Sequence, residues 1–405
     1  MALRLRTVRS PQEMAEAVWP ISHYFGRVPT EEEATRFGRT LPLERMHAVF
    51  DGGRIVAGSG VFPFELTVPG GPLPCAGVTV VGVLPSHRRR GLLRRMMTVQ
   101  LADIRERGEP IAALWASEDT VYGRYGYGAA SNTLNTRLPR VSAELRPDLP
   151  PREGEVRLVD YEEAVRVFPR IYERVRRGTT GFISRSPAWW EERILSDRPE
   201  RRWGGAGVLN HALLELDGRP AGYALYRIVP HPTEFKRSLR VIEAIAAEPR
   251  ALRELWRFLL AVDWMDEIEG RILPLDHPLR HLVASPRLLG MRVEDGLWLR
   301  LVDVGAALSA RSYAGDGRVT LEVVSDPVFA DNVGCWTIEG GDARRTRRRP
   351  DVRLDVQALG SVFLGGFSFA ELARAELVDE AARGGLARAD ALFRTESAPW
   401  CPEIF

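Results

Sequence analysis

Two stretches of this chain carry the same order of elements. In "HAVFDGGRIVAGSGVF" (47–62) two apolar runs flank Asp51-Gly52-Gly53, and in "HALLELDGRPAGYALYRI" (211–228) two more flank Asp217-Gly218. Apolar runs on either side of an Asp-Gly turn predict a β-hairpin. Each hairpin is followed by a strand, a sharp corner and an amphipathic helix: residues 78–107 in the first copy, and "LRVIEAIAAEPRALRELWRFLLAVD" (239–263) in the second. This order predicts α/β units, and its recurrence predicts a duplication at the scale of a domain. The copies differ at the corner. The first reads "VLPSHRRRGLLRR" (83–95), with arginines around Gly91; the second lacks the glycine and most of the arginines.

With 405 residues the chain is too long for one ordinary core. "PDLPPREGE" (147–155) reads as a linker. Beyond Gly290 the pattern changes to short alternating strands, "GRVTLEVVSD", "CWTIEGG" and "VRLDVQALGSVFLGG", followed by helical "SFAELARAELV" and "GGLARADALF". Three domains are therefore expected, at 1–148, 149–290 and 291–405, the first two α/β and the last α+β. In the first, helices are expected at 11–19, after Thr30 and from about 88 to 107, and "IAALWA" (111–116) is expected as a buried strand.

Bulk properties exclude some classes of function. Net charge is +2, so no global field draws the chain to nucleic acid, and aromatics do not alternate with the basic residues as single-strand binding requires. Cys75, Cys335 and Cys401 are few and far apart, which argues against a disulfide framework or a zinc site and fits a reducing cytoplasm. The N-terminal stretch has no apolar core of signal-peptide length, and no window reaches membrane-spanning length. The expectation is a cytoplasmic protein with no metal and no membrane or nucleic-acid partner.

The first corner asks for an anion. A helix N-terminus presents unpaired N–H groups and the positive end of the helix dipole. Gly91 lets the backbone approach a ligand closely, and Arg88, Arg89, Arg90 and Arg94 add charge-assisted donors suited to phosphate. Positive charge at a helix N-terminus is unfavourable without a partner, so a phosphate-bearing ligand is expected here.

The string "VGVLPSHRRRGLLR" resembles motif A of the GNAT acetyltransferases, R/Q-x-x-G-x-G/A. Arg88 falls on its first position and Gly91 on its fourth; Leu93 stands where the superfamily has Gly or Ala. "HRRRGLLR", "SEDTVYGRYGYGAA" (117–130), the chain length and the ending "LGSVFLGG…LARADALF" together resemble the enhanced-intracellular-survival (Eis) type of acetyltransferase. The resemblance covers essentially the whole chain. It implies two tandem GNAT-like domains, the second degenerate, then a sterol-carrier-like domain. It also implies acetyl-CoA as cosubstrate, an amine acceptor (aminoglycoside, polyamine or lysine) and a homohexamer. The pyrophosphate would sit on the corner formed by Arg88, Arg89, Arg90, Gly91, Leu92, Leu93 and Arg94. The pantetheine would run beside the main chain of Val81, Gly82 and Val83, with Ser117 and Glu118 flanking it. Glu118 is equally open to reading as a surface carboxylate.

Acetyl transfer to an amine poses two proton problems: the amine must lose a proton, and the departing thiolate must be stabilised. A tyrosine hydroxyl can serve the thiolate. "VYGRYGY" matches the superfamily's Y-x-x-x-G-[FY] pattern, which puts Tyr122 on the general-acid position and Tyr127 on the aromatic packing position. The base is less visible, because strand 78–84 has no Asp, Glu or His. His87 suits the corner, and His23 reads as a loop histidine. The Eis resemblance implies the terminal carboxylate, here that of Phe405, with Glu403 as the fallback. Tyr24, Phe25, Phe37 and Trp190 are candidates for the acceptor pocket. The alternative reading is a non-catalytic CoA- or lipid-binding module on the same scaffold.

Overall fold

The computed structural model describes residues 3–231 and 233–405. Two compact units are present. The first comprises the chain up to Ser131 together with Leu297–Pro399 and Ile404–Phe405; the second comprises Asn132–Gly296 and Trp400–Glu403.

The first unit is built on a seven-stranded sheet, in the order Arg4–Thr7, Met46–Asp51, Arg54–Val68, Gly71–Val83, Ile111–Trp115, Leu297–Leu301, Gly128–Ala129. All neighbours are antiparallel except Gly71–Val83 with Ile111–Trp115. That parallel pair needs a crossover, and helix Leu92–Glu106 supplies it, burying Leu92, Met96, Met97, Leu101 and Ile104 along one stripe. Helix Pro11–Ser22 is capped by Ser10, and helix Glu31–Gly38, expected after Thr30, by a reciprocal Thr30/Glu33 pair. The first of these helices lies so close to the sheet that only glycine fits beneath it. A Cβ on Gly58 would collide with the Ala17 carbonyl, and one on Gly82 would lie 2.5 Å from the Ile21 nitrogen.

The rest of the first unit is a five-stranded sheet in the order Asp342–Thr346, Gly334–Glu339, Arg318–Val323, Val352–Leu354, Val378–Glu380. Helices Val304–Ala310, Val356–Phe363, Phe369–Arg374 and Gly385–Phe393 accompany it.

The second unit repeats the plan. Its sheet runs Arg292–Asp295, Asn132–Pro139, Glu267–Pro274, Arg237–Ala246, Arg219–Pro230, Asn210–Leu216, Glu155–Val159. Again one pair is parallel, Ser238–Val241 against Glu267–Gly270, and helix Pro249–Ala261 makes the crossover. Trp256 from that helix is fully buried in the core.

Sheet membership departs from chain order at two places. Asn132–Pro139 precedes the linker at 147–155 yet pairs in the second sheet, and Leu297–Leu301 follows Gly290 yet pairs in the first. An apolar run marks a buried strand, but pairing is non-local and the run does not name its neighbour. Among the described residues no helix is long and apolar enough to cross a membrane.

Candidate active site

The site opens where the two parallel strands of the first unit part. Gly71–Val83 pairs with Ile111–Trp115 at only three positions, Cys75 with Ile111, Ala76 with Ala112 and Gly77 with Ala113. Just beyond, the longer strand bulges. Gly58 opposes Gly82 and Gly60 opposes Thr79, so one extra residue is inserted, and Val80 takes φ +47° to accommodate it. The Leu84 N–H donates to the Val56 carbonyl at 2.9 Å. By strand alternation the main-chain groups of Val81 and Val83 then face the gap. The Tyr24 hydroxyl donates to the Val83 carbonyl there at 2.8 Å.

The corner itself is more elaborate than a strand running into a helix. Pro85–His87 forms a single 3-10 turn, Arg88 is extended, and Arg89 and Gly91 take φ +61° and +75°. The helix starts at Leu92, four residues later than the arginine run suggests, because these left-handed residues cannot be helical. The Arg95 N–H is bonded to the Gly91 carbonyl at 3.0 Å. The amides of Leu92, Leu93 and Arg94 precede that bond and have no intrahelical acceptor, and among the described residues no side chain caps them. Among the described residues Arg88, Arg89 and Arg94 have no carboxylate partner. Arg88 lies 5.9 Å from the centre of the Tyr24 ring. Arg90 instead turns to Asp51 at 4.0 Å, and His87 Nε2 is 3.2 Å from the same carboxylate. In the second unit the matching corner is filled by its own acids: Arg250 pairs with Glu248 at 3.1 Å and Asp217 at 2.8 Å.

Gap and corner together form a cavity of about 740 Å³. It is lined by Val81, Gly82, Val83, Arg88, Arg89, Gly91, Leu92, Leu93, Arg94, Ser117, Glu118 and Tyr122; Arg90 and Phe405 are not among the lining residues. Tyr24 and Phe25, considered from sequence for the acceptor pocket, line it too, as do Thr120, Arg124 and Tyr125, which sequence reasoning did not select. Their signal was the same Gly/Tyr-rich segment that marked Tyr122.

Tyr122 ends the short helix Asp119–Tyr122 and is followed by the turn Gly123–Tyr125. Burial, with the Glu118 carboxylate adding to it, pushes its hydroxyl up to about 12, so it keeps its proton throughout the neutral range. Tyr127 meets it edge-on at 6.2 Å and is fully buried, which raises its hydroxyl further.

Phe405 is a buried residue of the first unit. Its ring packs on Phe64 and Phe62, and its Cε2 lies 3.3 Å from where a Cβ on Gly77 would be. Phe37 packs on Phe62 at 5.7 Å. Glu403, the fallback base, is engaged within the second unit: it accepts from Trp189 Nε1 at 2.9 Å and from Arg185 Nε at 2.8 Å. Trp190 sits in the second unit's core between Tyr172 and Tyr223.

Residues 5–130 and 181–301 each match a family described as an acetyltransferase (GNAT) domain, and residues 304–402 match a sterol carrier protein domain. An uncharacterized N-acetyltransferase of Streptomyces avermitilis is 38% identical, with 94% of each chain covered. The N-acetyltransferase Eis of Mycobacterium tuberculosis is 36% identical over 90% of each. The crystal structure of Eis1 from Mycobacterium abscessus superposes with a TM-score of 0.86 at 34% identity, covering 99% of this chain and all of that one. A GCN5-related N-acetyltransferase from Anabaena variabilis shares the fold at 20% identity, with a TM-score of 0.84 over the whole of both chains.

Proposed function

The chain belongs to the Eis-type GNAT N-acetyltransferases, and from that premise we propose that it moves an acetyl group from acetyl-CoA to a primary amine with Tyr122 as general acid and the Phe405 α-carboxylate as general base. The observation that carries the reading is one cavity lined by three features: unbonded helix amides among unpaired arginines, a free strand edge, and a tyrosine that keeps its proton.

The parts divide the work. Acetyl-CoA supplies an activated acyl group and a thiolate leaving group. The amides of Leu92, Leu93 and Arg94, with Arg88, Arg89 and Arg94, hold its pyrophosphate. The main chain of Val81 and the N–H of Val83 pair with the pantetheine amides, the Val83 carbonyl being already bonded to Tyr24. Tyr122 donates its hydroxyl hydrogen to the sulfur as charge builds there. The carboxylate of Phe405, anchored through its ring, takes the ammonium proton of the acceptor. Arg90, paired with Asp51, braces the corner rather than touching the ligand.

Aminoglycosides, polyamines and lysine side chains all present the cationic primary amine this scheme needs. A binding-only module is not favoured, since the similar proteins are N-acetyltransferases by name and the corner amides are unblocked in the first unit. The test is release of CoA thiol from acetyl-CoA against a panel of these amines. Release that depends on an amine supports the reading; saturable acetyl-CoA binding with no release for any amine overturns it.

A further inference from the structure

Arg300, on strand Leu297–Leu301, has no exposed side-chain surface, and neither has Asp326 beside it. Arg300 Nη2 donates to both Asp326 oxygens at 2.7 and 2.8 Å. The carboxylate also accepts from the Val328 and Phe329 amides at 2.8 and 3.0 Å and from the Asn332 side chain at 2.8 Å. One arm of the guanidinium is thus fixed. The rest is unspent in hydrogen bonds: among the described residues Nε and Nη1 have no partner, though the guanidinium carbon lies 5.5 Å from the centre of the Phe329 ring.

The unspent arm lies on the tyrosine segment. Nη1 stands where a Cβ on Gly126 would collide with it, and Gly126, at φ +83°, closes the turn that follows Tyr122. The turn is tied back to Tyr122, because the Tyr127 N–H donates to the Tyr122 carbonyl at 3.4 Å. The Tyr127 hydroxyl is itself buried and has no hydrogen-bond partner among the described residues. On the other flank the Gln357 side chain would come within 2.9 Å of a Cβ on Gly123.

The three N–H groups on Nε and Nη1 are costly to leave unmade in a buried site, whereas removing Arg300 alone would strand the buried Asp326 carboxylate. The pair with Asp326 accounts for the Nη2 arm but not for the placing of Nη1 against Gly126. We infer that Arg300, held by Asp326, is a positioning residue for acetyl transfer: it sets the turn at Gly126 and so the place of Tyr122 in the cavity. The inference rests on the reading of Tyr122 as the general acid.

The test is a double-mutant cycle on the full chain. Arg300→Lys keeps a cation beside Asp326 and loses the arm against Gly126. The expected result is a kcat lower by about tenfold, with KM for acetyl-CoA changed by less than about twofold because the corner is untouched. In the Tyr122→Phe background the same substitution should cost less than about twofold more, since its route to the reaction is already gone. If Arg300→Lys does not fold, the neutral pair Arg300→Met with Asp326→Asn should show the same loss and the same masking. Full kcat in the folded variant, or a loss that multiplies undiminished in the Tyr122→Phe background, overturns the inference. Full kcat in Tyr122→Phe alone overturns the general-acid reading and the inference with it.

Discussion

The ring of Phe405 meets the ring of Phe64 edge-on, with centroids 5.0 Å apart and planes at 72°. Phe64 lies on the strand paired with Gly71–Val83, opposite Cys75, two residues before the register at which that strand leaves its parallel neighbour. Phe405 is therefore fastened close to where the site opens. Edge-to-face aromatic pairs contribute about 0.5–1.5 kcal/mol beyond area burial. Phe405→Ala keeps a terminal carboxylate and loses that anchor. The expected outcome is a lower kcat, by about tenfold, with acetyl-CoA affinity unchanged, as steady-state kinetics and calorimetry would read separately.

Arg89 and Arg94 should act on binding instead. Replacing both with alanine removes two charge-assisted donors from the corner and should raise the acetyl-CoA dissociation constant by about 10–100-fold, with an effect that shrinks as salt rises. Unchanged affinity would remove the phosphate role of the corner.

The pH–rate profile follows from Tyr122. A hydroxyl pushed up to about 12 stays protonated well beyond neutrality. The activity should rise with pH as the acceptor amine loses its proton, and should show no descending limb from Tyr122 up to about pH 10. A descending limb near 8–9 that disappears in Tyr122→Phe would show the hydroxyl far less elevated.

A stability prediction comes from the second unit. Trp256 Nε1 donates to buried His277 Nε2 at 3.2 Å, and burial pushes His277 down to about 3. The unfolded ring titrates near 6.5. Between these values the unfolded chain binds a proton that the folded chain does not. The contribution is therefore complete above about pH 6.5 and is lost as pH falls toward 3, about 2 kcal/mol of it by pH 5. Denaturant midpoints measured at pH 7 and pH 5 should differ in the wild type, and the difference should shrink in His277→Gln, which keeps an acceptor for the indole, without vanishing, because burial also lowers His47 and His211.

What was legible in the sequence was local. The Asp-Gly hairpins, the Thr30 cap, the arginine corner and the tyrosine segment each lie within a few residues of chain, where turn chemistry and charge speak directly. The corner's helix starts at Leu92 rather than at about 88, because an arginine run looks helical while the left-handed turn at Arg89 leaves no mark of its own in sequence. Long-range pairing was not legible. Nothing in "LWLRL" says that it lies between Ile111–Trp115 and Gly128–Ala129, and nothing ties Arg300 to Asp326 or Phe405 to Phe64 across intervening chain. Nor does the sequence show that the Glu403 carboxylate is engaged by Trp189 and Arg185 and so is no spare base.

The most direct test is a single-turnover experiment with acetyl-CoA and an accepted amine both saturating, on the wild type, Tyr122→Phe and a chain lacking Phe405. The account predicts that both variants bind acetyl-CoA as the wild type does and that both slow the acetyl-transfer step, Tyr122→Phe by about 10²–10⁴-fold. A wild-type rate in either variant would show that the proton it is assigned moves through another group.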